Sequence, residues 1–442
     1  MHSCMMKTLP GIVFLLVLAF MVTGQGQARD LNFSEILAQA LVHSHDLKMA
    51  GLEKEISKER LTEAGAMYFP NLSLRFTNEY IDDLTRTGAN TVSVGETIIP
   101  GSQSAFQHSV ALSAQYLLYD FGVREMTYKN AERGVSLSQY QAAQRLLDLK
   151  AEVLSLFGSG LQLQKKMEVW SALIGLRKEV YGFTRRLVIS GSRDKPEQGI
   201  AAIAVAEAMQ NGESLQREMA GVLERLTYFT GNRYPMAGVR FTDFPEQTGA
   251  AAAVDVSKLP EIRAYDVAIE QKKTEADIAL RHWLPTLSLY SSFRMYGNDR
   301  TSFTGSLENL EERNAAVGLV VNMNLFNGFG DEAKARRLQK EMEKLKIEKE
   351  KKMAENEQKT STLAKRNIIF EQGMENSSSY WAALNDQRTM EERLSEKQII
   401  DRISFLQQKE AQMEKQLTLA LADVDRRVNA LQLRILAEGA VE

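Results

Sequence analysis

Glu55–Leu74 reads EISKERLTEAGAMYFPNLSL, and Glu270–Leu289 reads EQKKTEADIALRHWLPTLSL. At this shift of 215 residues (270 − 55), 46–74 aligns with 261–289 without a gap. Glu55/Glu270, Lys58/Lys273, Ala64/Ala279 and Pro70/Pro285 match, and Tyr68 and Trp283 keep an aromatic in one place. Leu72-Ser73-Leu74 repeats as Leu287-Ser288-Leu289. At a shift of 207 (325 − 118), Leu118-Tyr119-Asp120 falls on Leu325-Phe326-Asn327, with Gly122 following one and Gly328 and Gly330 the other. Two matches in the same order make a tandem duplication. We place a first repeat over 29–231, a second over 257–442, and a linker over 232–256 holding Pro235, Pro245 and an alanine run.

Each repeat follows one plan. A helix opens it, with Asn32 as N-cap in the first and Glu35 three residues on, the spacing of a capping box. Pro70 and Pro285 mark the helix-to-strand joints, because proline turns its preceding residue away from helical geometry. Beyond them the pattern has period two. Leu72, Leu74, Phe76 and Tyr80 oppose Ser73, Arg75, Thr77 and Glu79, as Leu287, Leu289, Phe293 and Met295 oppose Ser288, Ser292 and Arg294. Second alternating runs return through Phe106, Val110, Leu112, Ala114, Tyr116 and Leu118, and through Val317, Leu319, Val321, Met323 and Leu325. The pattern predicts hairpins over 71–118 and 286–326, with strands of about ten residues, enough to cross a bilayer when tilted. Gly122, Gly328 and Gly330 mark the strand-to-helix joints.

No proline interrupts 122–189 or 331–390, each about 60 residues and so about 90 Å long as helix. In the first, Leu146, Val153, Met167, Ile174, Tyr181 and Val188 keep one heptad position, broken at Gly160. Leu149, Leu156, Leu163 and Trp170 keep a second position, and Leu147, Leu154 and Leu161 a third. Two positions make a coiled-coil seam, so three adjoining ones predict neighbours on both sides, a wall of helices. Return helices show the same spacing at Ile403, Leu417, Val424 and Leu431, and at Leu421, Val428 and Ile435. Polar turns near 191–196 and 395–398 separate outgoing from return helices.

The 442 residues are 44% hydrophobic and 25% charged, which excludes a disordered chain, a collagen, a disulfide-stapled mini-protein and a polytopic helical membrane protein. With 54 Lys+Arg against 57 Asp+Glu there is no basic excess, and no nucleic-acid partner is expected. Only 8 prolines occur, as suits long helices. The one cysteine, Cys4, lies in an expected signal peptide over 1–28: Lys7, an apolar run over 9–23, and small residues for cleavage near Ala28. That run is too short to span a membrane as a helix, and Cys4 precedes it, so no lipid-anchor cysteine stands at the cleavage site. No nucleophile-elbow, P-loop, zincin or dinucleotide fingerprint occurs, and neither an enzyme nor a cofactor is expected. His43 and His45 lie about 200° apart on a helix without a third ligand, so they read as a polar helix end and not as a metal site. His282 reads as a local hydrogen-bonding group at the helix corner. Over 340–352, lysines interleave with Glu341, Glu343, Glu348 and Glu350, a solvated ion-paired face.

Four amphipathic strands cannot close a membrane barrel, whose smallest forms have about eight, and lipid does not tolerate open edges. If the strands enter a membrane the chain therefore oligomerises, and three copies supply twelve strands above a ring of helices. The other reading is a secreted or periplasmic structural coiled-coil protein whose hairpins belong to a soluble β-domain and bury one face on its core.

The helix leading into FPNLSL or LPTLSL, the strand ends LYDFG and LFNGFG, and their order in both halves resemble the outer membrane efflux protein family, typified by TolC, over about 31–436. The resemblance implies a mixed α/β membrane protein: a homotrimer whose four transmembrane β-strands per chain close a 12-stranded β-barrel. A coiled-coil-like α-barrel would continue it into the periplasm of a Gram-negative bacterium. It implies a passive exit duct for efflux or type I secretion, set in outer-membrane lipid. Its partners would be a periplasmic adaptor (membrane fusion) protein and an inner-membrane efflux pump or ABC transporter. It implies, too, a periplasmic constriction at the helix turns, for which Asp194, Glu197, Asp401 and Arg402 are the candidates. Glu396 stands where the family often has glycine, and Arg402 where an apolar residue is common. A threefold ring of carboxylates would repel itself and bind cations. The plainer alternative is that these residues are solvated turn positions.

Overall fold

The computed structural model describes residues 29–81, 92–94, 97–99, 105–244, 254–299, 302–310, 312–397 and 401–440. The expected signal peptide with its cleavage site near Ala28, the linker segment 245–253, and Gln398 of the second turn lie outside them. The chain runs β1 (Arg29–Leu31), α1 (Phe33–His43), α2 (His45–Ala66), β2 (Asn71–Ile81), β3 (Val92–Val94), β4 (Thr97–Ile99), β5 (Ala105–Tyr119) and α3 (Val123–Ile189). It continues as α4 (Lys195–Thr230), β6 (Val239–Phe241), α5 (Pro260–Arg281), β7 (Thr286–Asp299), α6 (Phe303–Glu308), β8 (Glu312–Asn322), α7 (Gly330–Glu396) and α8 (Arg402–Gly439).

The described residues of 49–142 and 260–353 form one unit. Its main sheet has the order β2-β5-β7-β8, antiparallel throughout. Its helices stop short of the prolines, α2 at Ala66 before Pro70 and α5 at Arg281 before Pro285. In the first corner the amides of Met67, Tyr68 and Phe69 bond carbonyls three residues back at 3.0–3.3 Å, so the last turn tightens before proline acts. β8 ends at Asn322, earlier than its alternation predicts. Its pairing partner β7 begins at Thr286, which faces Asn322, so 323–326 have no partner on that side.

Among the described residues, the second unit holds 29–48, 143–244, 254–259, 354–397 and 401–440. The opening helix of the first repeat is split. Ser44 leaves the helical region (φ −48, ψ 122), its amide caps Ala40 at 2.8 Å, and its hydroxyl accepts the Leu47 amide at 3.3 Å to begin α2. Asn32 caps α1 through a bond from the Ser34 amide at 3.1 Å. Leu147, Leu154, Leu161, Leu149, Leu156, Leu163 and Val153 are all buried, so all three heptad positions of α3 serve the core. Met219, Leu223 and Leu226 of α4 and Val424, Leu431 and Ile435 of α8 join them. β6 pairs in parallel with β1 and brings Phe241 and Phe244 onto Phe157, ring centroids 5.3 and 5.0 Å apart, with Phe33 5.7 Å from Phe157. Burying one such ring contributes about 1.5–3 kcal/mol. Gly160, the break in the heptad stripe, is where the Phe241 ring sits. A Cβ there would overlap it.

Candidate functional site

Three features of the molecule lie outside its core packing. The first is one face of the four-stranded sheet. Register places Leu74, Leu112, Phe293 and Ala315 in one row, and Leu72, Ala114, Ser291 and Val317 in the next. Tyr116, Leu289 and Leu319 make a third. This face is apolar yet open: Leu74 is 71% exposed and Val317 74%. Exposed aromatics bound it at both ends, with Phe69, Tyr119, Trp283, Phe326 and Phe329 beside the joints and Phe76 and Tyr80 toward the hairpin tips.

At the tips α6, which the pattern did not announce, lies on the same face. Phe303 meets His108 edge-on at 4.6 Å, and the Ser306 hydroxyl bonds His108 Nδ1. The opposite face carries Ser73, Thr77, Ser109, Ser113, Gln115, Ser288 and Ser292.

The second feature is the pair of strand-to-helix joints. After β5 the backbone turns through Phe121 (φ 55) and Gly122 (φ 83). The buried Asp120 carboxylate accepts from the amides of Gly122 at 3.2 Å and Arg124 at 2.6 Å, so it caps α3. Arg281 donates to the Phe121 carbonyl at 2.8 Å, and Arg124 donates to Leu117 O at 3.0 Å while its guanidinium lies 4.4 Å from the Tyr68 ring centroid. After β8 the same turn is made by Gly328 (φ 69) and Phe329 (φ 63), and Gly330 opens α7 with its amide donating to Asn327 Oδ1 at 3.2 Å. Pro70 and Pro285 immediately precede β2 and β7.

The third feature is the set of helix turns in the second unit. Asp194 and Asp401 occupy the N-cap positions of α4 and α8, and neither carboxylate makes a capping bond. Arg193 draws two of the predicted residues together, with Nη1 2.7 Å from Glu197 Oε2 and Nη2 3.8 Å from Asp401 Oδ2. Arg402 faces away from that group: it bonds Glu179 at 2.9 Å and lies 5.4 Å from the Phe405 ring centroid. Asp194 joins neither set.

Beside them a groove of about 360 Å³ holds a pair the sequence reading missed. Arg177 is only 18% exposed. It places Nε and Nη2 on Glu410 Oε1 at 2.7 and 2.5 Å, and Nη1 on the Ala204 carbonyl at 3.2 Å, tying α3, α4 and α8. A signal was present. Arg177 continues the Leu149-Leu156-Leu163-Trp170 stripe and Glu410 fills the gap between Ile403 and Leu417, so each is a charge in an apolar position.

Among the described residues no group of three or more His, Cys, Asp or Glu side chains could hold a metal ion. No helix there is long and apolar enough to cross a membrane. His43 ends α1 and His45 begins α2, with their rings edge to face at 5.2 Å. Lys340, Lys344, Lys349 and Lys352 pair with Glu343, Glu348, Asp266 and Glu261.

The sequence profile of the outer membrane efflux protein family matches residues 36–232. Among solved structures, the Campylobacter jejuni outer membrane channel CmeC is similar with a TM-score of 0.76 at 13% identity, over 92% of this chain and 85% of that one. The Vibrio cholerae outer membrane protein VceC gives 0.73 at 15% identity, over 92% and 95%. The open state of the Neisseria gonorrhoeae MtrE outer membrane channel gives 0.73 at 16% identity, over 95% and 93%. Identities this low carry the fold alone. No curated protein sequence matches the chain.

Proposed function

We propose that this chain, whose residues 36–232 match the outer membrane efflux protein family, forms the exit duct of a tripartite efflux or type I secretion system in a Gram-negative outer membrane. The duct is a passive trimeric channel with no catalytic step. The observation that carries this is a sheet with an open apolar face between two open edges, β2 and β8, each 11 residues long. In water such a face forgoes about 1.5–3 kcal/mol per uncovered large apolar side chain, whereas lipid covers it without a protein layer. Three strand reversals leave β2 and β8 antiparallel, so β8 of one copy continues the sheet on β2 of the next. Three copies of four strands close at twelve and leave no unpaired edge in lipid. From Phe69 to Tyr80 the chain rises about 29 Å at 3.4 Å per residue and a tilt of about 40°, close to the ~25 Å apolar band of such barrels.

On this reading α3, α4, α7 and α8 build the periplasmic α-barrel, and its lower rim meets an adaptor protein and an inner-membrane pump or ABC transporter that select the cargo. The helix turns form the constriction. Arg193 holds Glu197 and Asp401 together across two turns, and the uncapped Asp194 adds a carboxylate there. Outer-membrane fractionation and ion-conducting trimers in planar bilayers are expected, and a soluble periplasmic monomer would sink the proposal. For the constriction, the Asp194→Ala/Asp401→Ala double variant should change cation block or open-state conductance. Both staying as in wild type would count against it.

A further inference from the structure

The polar face of the sheet concentrates its positive charge in one row. Arg75 pairs with Ala111, Ala111 with Arg294, and Arg294 with Asn314. The two arginines therefore share a face and a level, two strand spacings apart, about 10 Å. The row toward the joints is Ser73, Ser113, Ser292 and Ala316. The row toward the tips holds Thr77, Ser109, Tyr296 and, by register, Glu312. Glu79 stands two rows from Arg75, about 14 Å along the strand.

Both guanidiniums are exposed, and among the described residues no carboxylate forms an ion pair with either. Arg294 donates to the Tyr296 hydroxyl at 3.5 Å, which leaves its charge uncompensated. An arginine with a purely structural role would be expected to meet a carboxylate. Here its row neighbours are an alanine and an asparagine.

We infer that Arg75 and Arg294 form a cationic girdle in the channel lumen that favours passage of anionic solutes, those bearing carboxylate, sulfonate or phosphate groups. This rests on the trimeric barrel proposed above. With the apolar face on lipid, the polar face lines the lumen, and two arginines in each of three chains give six guanidiniums. A strand tilt of about 40° sets the Arg75 and Arg294 triads about 6 Å apart along the axis, so both act on one short zone. Charge of one sign lining a passage with low-dielectric walls raises the local concentration of counter-ions. Bidentate guanidiniums suit carboxylate and phosphate in particular. Glu79, nearer the tips, leaves the positive zone displaced inward from the mouth.

The test is the permeability ratio of chloride to potassium, read from reversal potentials of full-length trimers in planar bilayers under a KCl gradient. Arg75→Ser/Arg294→Ser should lower that ratio about threefold, as removal of a one-sign lining predicts. Each single variant should give a smaller drop, and Arg75→Lys/Arg294→Lys should keep the wild-type ratio. On the unmodified channel, inorganic sulfate should reduce chloride-carried current. A serine pair that conducts with an unchanged ratio overturns the girdle, as does a wild-type channel indifferent to sulfate. A wild-type protein that forms neither trimers nor channels overturns the barrel itself, a result separable from the other two.

Discussion

The two strand-to-helix joints make the same turn in different surroundings. Phe121 and Phe329 both take positive φ, which costs a bulky residue about 1–2 kcal/mol. At the first joint the chain itself supports that strain: β5 is an interior strand, Arg124 reaches back to Met67 O and Tyr68 on the β2 side, and Arg281 arrives from the β7 side. At the second joint one side is missing. β8 is an edge, and Leu325, Phe326 and Phe329 stand 83%, 71% and 66% exposed. In the proposed trimer, what Met67–Phe69 supplies at the first joint would come at the second from the next copy's Met67–Phe69, whose exposed Phe69 would meet the two phenylalanines. The difference between the joints is thus a proposal about assembly.

The strongest way to break the comparison is to charge the open joint. If the proposed trimer forms, Phe326→Asp/Phe329→Asp should remove most of it, since each ring buried at an interface contributes about 1.5–3 kcal/mol. Detergent-resistant trimers on gels, or mass by light scattering, would report it. A double variant that stays trimeric would mean the joint is not at the interface. The next test inverts the roles within one chain. Asp120→Ala leaves two half-buried backbone amides without their buried acceptor and should cost about 1–2 kcal/mol. Asn327→Ala, at an exposed cap, should cost about 0.5–1 kcal/mol. Denaturant midpoints in detergent compare them, and equal losses would show that burial does not separate the joints.

The duplication, the hairpin faces and the long helices were legible because they are periodic, and lipid or core burial enforces period two or seven. Register then turned the alternating faces into continuous rows, broken where a bulge at Leu118 sets Tyr119 opposite Leu287 and where Met323 and Leu325 lie past the end of β8. Less legible were features decided by single contacts. Ser44 splits a helix by capping both halves, α6 covers His108 from within a loop, and β8 stops where β7 runs out of partners. The helix turns were legible in part: the sequence marked the carboxylates, but only the fold joins Glu197 to Asp401 through Arg193 and sends Arg402 to Glu179. Arg177, Glu410 and Gly160 teach a related lesson, since each interrupts an apolar stripe and each interruption marks a specific partner.

Gly160 supports a further test between the outgoing helices of the repeats. Gly160→Ala should destabilise by about 1–3 kcal/mol, because the Phe241 ring must move from a packed core. Gly373 in α7 is exposed, and its Cβ position meets nothing within 4 Å, so Gly373→Ala should stabilise by up to about 1 kcal/mol through helix propensity. Thermal unfolding and protease sensitivity of the linker would read both. Equal signs would mean that the docking of β6 on α3 is loose.

The smallest effect separates the return helices. In α8 the Asp423 carboxylate receives Arg426 at 2.9 Å and Arg427 at 2.8 Å. Burial by itself would raise its pKa, but the hydrogen bonds and charges of Arg426 and Arg427 outweigh that and hold it below the ordinary carboxylate value. A carboxyl lowered in the folded state contributes stability that is complete above its unfolded pKa, about 3.9, and is lost as pH falls through the lower folded value. The side chain is 38% exposed, so solvent screening keeps the contribution below about 1 kcal/mol. Asp423→Asn should therefore unfold slightly earlier than wild type at neutral pH, and the gap should close once the pH is well below about 3.9. Midpoints taken across that range decide it: a gap that persists in acid would assign the residue's role to packing and not to charge.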